Sequence, residues 1–173
     1  MLFRSFMKSG KKKIAFFLHS FPVISETFIL NQIVELMKDG HEVDIFASYK
    51  PSDPIVHDAV HTYQILDRVT YLNSLPLSRI SRLKIFCLKL VQNINFRNLL
   101  LFFHYVNYLF TFKKRYVSFY YVIYFLDKPQ YDIVHAHYGF SGKIVADFKS
   151  IGLLRKSKLI TTFHGYDFRV DEG

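Results

Sequence analysis

Three short segments concentrate the residue types that do chemistry. Ser25-Glu26-Thr27 sets two hydroxyls and a carboxylate ahead of an apolar run, HAHYG carries His135 and His137 on either side of Ala136, and His164-Gly165-Tyr166-Asp167 places an imidazole three residues from a carboxylate. Each has an ordinary structural counterpart. At a helix start, unpaired amides and the positive dipole end can hold a phosphate or carboxylate, but Ser25 is also a good N-cap and Glu26 complements the dipole in the first turn. The segment FPVISET contains no glycine, so it is not a glycine-rich phosphate cradle, and an anion there would be held by helix amides and side chains. Alternation along a strand points His135 and His137 to the same side, and Gly139 just beyond them permits close backbone approach. No third ligand is sensibly spaced beside the pair, so neutral imidazoles with local hydrogen bonds are expected and a metal site is not. His164 can donate a hydrogen bond or exchange a proton near neutral pH without unusual tuning, and a structural role accounts for it equally well.

Alternating elements must position these segments. Lys13 to His19 is a short apolar run closed by Pro22 and reads as a buried strand. After Ser25, the apolar residues Phe28, Ile29, Ile33, Leu36 and Met37 recur at helical spacing up to Gly40, and Glu42 to Ala47 reads as a second strand. Strand, helix and strand in so few residues are a βαβ unit with a right-handed crossover. Residues 50–63, with Pro51 and Pro54, read as a loop, followed by short strands at Tyr63 to Leu66 and Val69 to Leu72. Tyr131 to Ala136 is a strand, Gly142 to Ile151 a helix closing at Gly152, and Lys158 to Thr162 a strand. The alternation predicts a doubly wound α/β domain with a parallel sheet, in which ligands bind beyond the carboxyl ends of the strands, where all three polar segments fall.

Composition adds a separate feature. The chain of 173 residues is long enough for one domain with a sizeable core, and its 50% hydrophobic content rules out wholesale disorder. Its net charge of +9 lies entirely between Arg68 and Leu126, where nine Lys or Arg residues occur without one Asp or Glu. The same block holds 15 of the 31 aromatic residues. Arg79 to Phe125 lacks proline and is helix-compatible, giving a helical block at about 79–126. Its longest apolar stretch, Leu99 to Phe112, has 14 residues, short of the roughly 20 needed to span a bilayer. Two readings stay open: the block lies in an anionic membrane interface, with Lys113, Lys114 and Arg115 as contacts, or its aromatics are ordinary core under a solvated charged face. Nucleic acid is not an expected partner, because the charges sit among long apolar runs and on no recognisable binding module. Cys87 is the sole cysteine, which excludes an internal disulfide and a cysteine-cluster metal site and suits a reducing compartment. Residues 1–12 read as a basic tail, and the N-terminal MLFRSFMKSGKKK lacks the apolar core of a secretory signal, so a cytoplasmic location is expected.

Taken together, KIAFFLHSFPVISETFILNQIVELMKDGHEVDIFA, DIVHAHYGFSGKIVADF and LITTFHGYDFR resemble the N-terminal domain of family-four glycosyltransferases of the GT-B fold, particularly those of colanic-acid and other exopolysaccharide biosynthesis. The likeness covers Lys13 to Ala47 and Tyr131 to Arg169 well and the block between them only in general character. It implies a partial Rossmann-like acceptor-side domain over residues 13–173. The implied activity is transfer of a sugar from a nucleotide-sugar to a saccharide or lipid-linked acceptor, with anomeric configuration retained and without metal or cofactor. By the same resemblance, His164 reaches the transferred sugar near the reaction centre and Asp167 orients its loop or a sugar hydroxyl. Ser25, Glu26 and Thr27 line the cleft near the donor diphosphate, His137 and Gly139 line the acceptor side, and Gly165 allows close approach. The sequence stops at Gly173, before the family's donor-binding domain with its paired glutamates. The expectation is therefore a chain without turnover by itself that meets nucleotide-sugar only with a complementary C-terminal domain. The alternative is a non-catalytic subunit that docks a membrane or a partner, peripheral on the inner face of the cytoplasmic membrane.

Overall fold

The structure, a computed structural model, describes residues 10–52, 56–74, 78–96, 98–100, 102–103, 107, 123–125, 128–150 and 152–168. Lys113, Lys114 and Arg115 lie outside the described residues, as do residues 1–9 of the basic tail.

Strand β1 (Lys13–Ser20) feeds helix α1 (Thr27–Lys38) and strand β2 (Glu42–Tyr49). Helix α2 (Asp58–Thr62), strand β3 (Val69–Tyr71) and helix α3 (Arg79–Gln92) follow. The chain then gives strand β4 (Ile133–His137), helix α4 (Gly139–Ser150) and strand β5 (Lys158–Thr162). All five strands pair in parallel in the order β3-β2-β1-β4-β5. This is the Rossmann-like α/β arrangement that the alternating pattern predicts, with the strand order reversing between β1 and β4.

The glycines close the helices as their positions suggest. At the end of α1, Gly40 adopts φ +83°, its N–H donates to the Met37 carbonyl, and the His41 N–H donates to the Leu36 carbonyl. At the end of α4, Gly152 adopts φ +89°, and Gly152 and Leu153 donate to Lys149 and Phe148 in the same way. Both are Schellman closures, which need a residue free to enter the left-handed region.

Each face of the sheet buries its own cluster. Ile14, Phe16, Leu18, Ile45 and Ile133 pack against Ile29, Ile33 and Leu36 of α1. On the opposite face, Ala15, Phe17, Phe46 and Val134 pack against Val145 and Phe148 of α4, with Tyr124 and Phe125. Phe125 is stacked on Phe46 with centroids 4.8 Å apart and meets Phe148 edge-on at 5.2 Å.

Several expected boundaries are corrected. Tyr63 to Leu66 is not a strand: Gln64 enters the left-handed region at φ 49°, and Ile65–Arg68 forms a 3-10 turn that buries Ile65. The expected loop at residues 50–63 contains α2, anchored by buried Val60. Helix α4 starts at Gly139 rather than Gly142, because Tyr138 makes the whole strand-to-helix turn in one residue, at φ 70°. Ser25 does not cap α1. It lies in a 3-10 turn, Ile24–Glu26, which moves the cap position to Glu26, and no side-chain cap bond forms there.

The described part of the basic aromatic block contains both core and exposed side chains. Tyr124 and Phe125 are core, and Ile85, Leu90 and Phe102 pack against the same cluster. The other side of α3 presents Ile80, Lys84, Cys87, Leu88 and Val91 to solvent, a stripe at helical spacing with Leu88 61% and Val91 68% exposed. Among the described residues no helix is long and apolar enough to cross a membrane.

Candidate functional site

The point where strand order reverses is where the chain can receive a ligand, because the helices after β1 and β4 leave on opposite faces and open a crevice between them. A cleft of about 360 Å³ lies there. His19 and Ser20 enter it from the end of β1, Glu26 from the turn before α1, Tyr138, Phe140 and Ser141 from the end of β4 and start of α4, and Asp167 from the turn after β5. Short connections put residues distant in sequence on one rim because the strands they follow are hydrogen-bonded neighbours.

Two bonds cross this rim. The Tyr138 hydroxyl donates to Glu26 Oε1 at 2.6 Å, joining the α1 and α4 sides of the crevice. Burial, reinforced by that carboxylate, pushes the Tyr138 phenol up to about 12, so it remains a donor across the physiological range. Asp167 accepts from two backbone amides, Gly139 N–H to Oδ1 at 2.9 Å and His164 N–H to Oδ2 at 2.8 Å. Those amides hold its carboxyl below the usual carboxylate range and tie the loop after β5 to the first residue of α4. Glycine leaves room for this tie: a Cβ on Gly139 would lie 3.1 Å from the Phe163 ring, which would have to shift, and 3.5 Å from Asp167 Oδ1.

Behind the rim, three histidines form a row. His135 and His137 point to the same side of β4, their rings 4.3 Å apart, and both contact Phe16. His135 Nε2 meets the Thr162 hydroxyl at 2.8 Å, and His137 Nδ1 meets His164 Nε2 at 3.1 Å with the rings stacked. Burial, aided by the neighbouring imidazoles, lowers His135 to about 4 and His137 to about 3, so both are neutral at pH 7. His137 Nε2 is buried with no hydrogen-bond partner among the described residues. A buried orphan acceptor is better tolerated than a buried orphan N–H. This pattern favours His137 protonated on Nδ1 and donating to His164, which then keeps its own proton on Nδ1. Among the described residues no group of three His, Cys, Asp or Glu is arranged to hold a metal ion.

Of the residues singled out from sequence, Glu26 and Asp167 line the cleft. Ser25 and Thr27 are exposed, and Thr27 borders a small crevice with Phe21, Pro22 and Val60 instead. His137 and His164 stand beside the rim rather than in its wall, with the His164 ring 4.5 Å from Tyr138 and 5.0 Å from Phe28. A Cβ on Gly165 would meet open space. Sequence reasoning missed Tyr138, Phe140 and Ser141; the available signal was their place directly after the strand of HAHYG.

No family model matches the chain. It is similar to WcaL of Salmonella typhimurium, named as a colanic acid biosynthesis glycosyltransferase, with 30% identity over 156 residues. WcaL of Escherichia coli matches at 30% identity, and AmsK of Erwinia amylovora, named as an amylovoran biosynthesis glycosyltransferase, at 28%. Each match covers 90% of this chain, which spans 38% of the length of these relatives. Over that span, the chain is similar in sequence to proteins named as colanic acid and amylovoran biosynthesis glycosyltransferases.

Proposed function

We propose that this chain forms the acceptor-side part of a retaining glycosyltransferase that moves a sugar from a nucleotide-sugar to a saccharide or lipid-linked acceptor in polysaccharide biosynthesis. The observation that carries the reading is the meeting of Glu26, Tyr138 and Asp167, from three strand ends, in one cleft at the reversal point of the sheet. Such a site works by positioning. Tyr138 fixes Glu26 through Oε1, and Oε2, which has no partner among the described residues, is free to accept an acceptor hydroxyl. Asp167 uses both oxygens on backbone amides, so it acts as the clamp of the His164 loop. His164, its tautomer held by His137, donates toward the sugar being transferred. Holding the acceptor in one orientation is the contribution this span makes, and a nucleotide-sugar site on a complementary domain supplies the other substrate.

Peripheral contact with an anionic membrane at its cytoplasmic face belongs to the same reading. The exposed stripe of α3 sets Ile80, Leu88 and Val91 around Lys84, within a block that has no acidic residue to repel anionic lipid.

The test is titration of the isotope-labelled chain with cellobiose, following backbone amides by NMR. Saturable shifts at Ser20, Tyr138 and Ser141 are expected in the millimolar range usual for weak saccharide binding. Absence of shifts there, or shifts confined to other surfaces, refutes the reading.

A further inference from the structure

We infer that the cleft selects an uncharged glycosyl unit and rejects a phosphorylated or carboxylated one; this rests on the saccharide-binding reading above and adds the charge class of the sugar. Helix N-termini beside a crevice are the usual places for an anion, since their first amides lack partners and the dipole end is positive. Here both helix starts at the crevice carry the chain's own carboxylates. The Gly139 amide that opens α4 is taken by Asp167 Oδ1 at 2.9 Å. Glu26 holds the cap position of α1 and is fixed across the crevice by Tyr138 at 2.6 Å.

Among the described residues, the rest of the lining supplies neutral donors and no Lys or Arg side chain to offset those two carboxylates. It contains His19, Ser20, Tyr138, Phe140 and Ser141. The Tyr138 hydroxyl already donates to Glu26, so it is not available to a phosphate without breaking the bond across the crevice. This local balance opposes the +9 of the whole chain, whose excess lies in the block from Arg68 to Leu126. A neutral sugar meets the opposite situation: carboxylate and hydroxyl oxygens accept its O–H groups, and the Phe140 ring, 61% exposed, gives an apolar face on which a pyranose can lie.

The experiment compares methyl α-D-glucopyranoside, methyl α-D-glucuronide and glucose 6-phosphate on the full chain, by the amide shifts of Ser20, Phe140 and Ser141. The neutral glycoside is expected to saturate these shifts at a concentration about tenfold below either anion, because like charges in a crevice repel. High salt should narrow that ratio on the unaltered protein, and Glu26→Gln should narrow it further. Equal titration by glucuronide and glucoside, or a ratio that neither salt nor Glu26→Gln changes, overturns the inference while leaving saccharide binding intact. If no sugar shifts the cleft amides, the saccharide reading itself fails and the charge selection falls with it.

Discussion

Acid should destabilise this fold at a pH where its carboxylates are still ionised. His135 and His137 are each 2% exposed, and burial lowers them to about 4 and about 3. In the unfolded chain both return to about 6.5. A base whose folded pKa is depressed takes up its proton more readily in the unfolded state, so its stabilising contribution is complete above about pH 6.5 and is lost as pH falls toward the folded value. Between pH 7 and pH 5 the loss amounts to about 2 kcal/mol for each histidine, or about 4 kcal/mol for the pair if they titrate independently. That is a large share of the 5–15 kcal/mol about which domains are stable. Urea unfolding followed by circular dichroism at pH 7 and pH 5 measures the loss directly. His137→Gln, which cannot take up a proton and keeps a polar side chain toward His164, should show about half the loss of the unaltered protein. Equal stability at the two pH values, or an undiminished loss in His137→Gln, refutes the assignment of buried neutral histidines.

Gly142 lies where α4 meets β5, and a Cβ there would come 2.7 Å from Thr161 Cγ2 and 2.9 Å from Thr161 Oγ1. Gly142→Ala should therefore cost about 1–3 kcal/mol by overpacking, and Thr161→Ala in the same protein should restore part of it in denaturant titrations. Phe125→Ala should cost about 3–5 kcal/mol, since the ring is 1% exposed and contacts Phe17, Phe46 and Phe148; thermal unfolding would show it, and a loss below about 1 kcal/mol would place that residue outside the core. For the α3 stripe, co-sedimentation with phosphatidylglycerol vesicles should exceed that with phosphatidylcholine vesicles and keep a salt-resistant part. Leu88→Glu with Val91→Glu should abolish it, and binding unaffected by that pair excludes the stripe as the membrane contact.

Much of the scaffold was legible because it is dictated by local pattern. The apolar run IAFFL, the helical spacing from Phe28 to Met37 and the glycines at 40 and 152 act over a few residues each, so β1, α1 and both helix ends are readable without the fold. The strand at Lys158–Thr162 is likewise where its residues put it. Legibility ended where neighbours in space outweigh neighbours in sequence. Tyr63 to Leu66 has strand-like residues, but burying Ile65 beneath the sheet requires the left-handed turn at Gln64, and the segment becomes a 3-10 turn.

The candidate site shows the same division. Sequence alone determined which polar segments follow which strands, and hence that Glu26, HAHYG and HGYD lie at one edge of a parallel sheet. Which of their side chains meet depends on how the strands and helices pack. Strand order makes β1 and β4 neighbours, and the sharp turn at Tyr138 carries its hydroxyl to Glu26 across 112 positions of sequence. The same packing turns Asp167 inward onto Gly139 and leaves Ser25 and Thr27 outside the cleft. Residue type and spacing act through short-range backbone preference, whereas partners in a cleft are chosen by strand order and by how each helix start rests on the strand beside it.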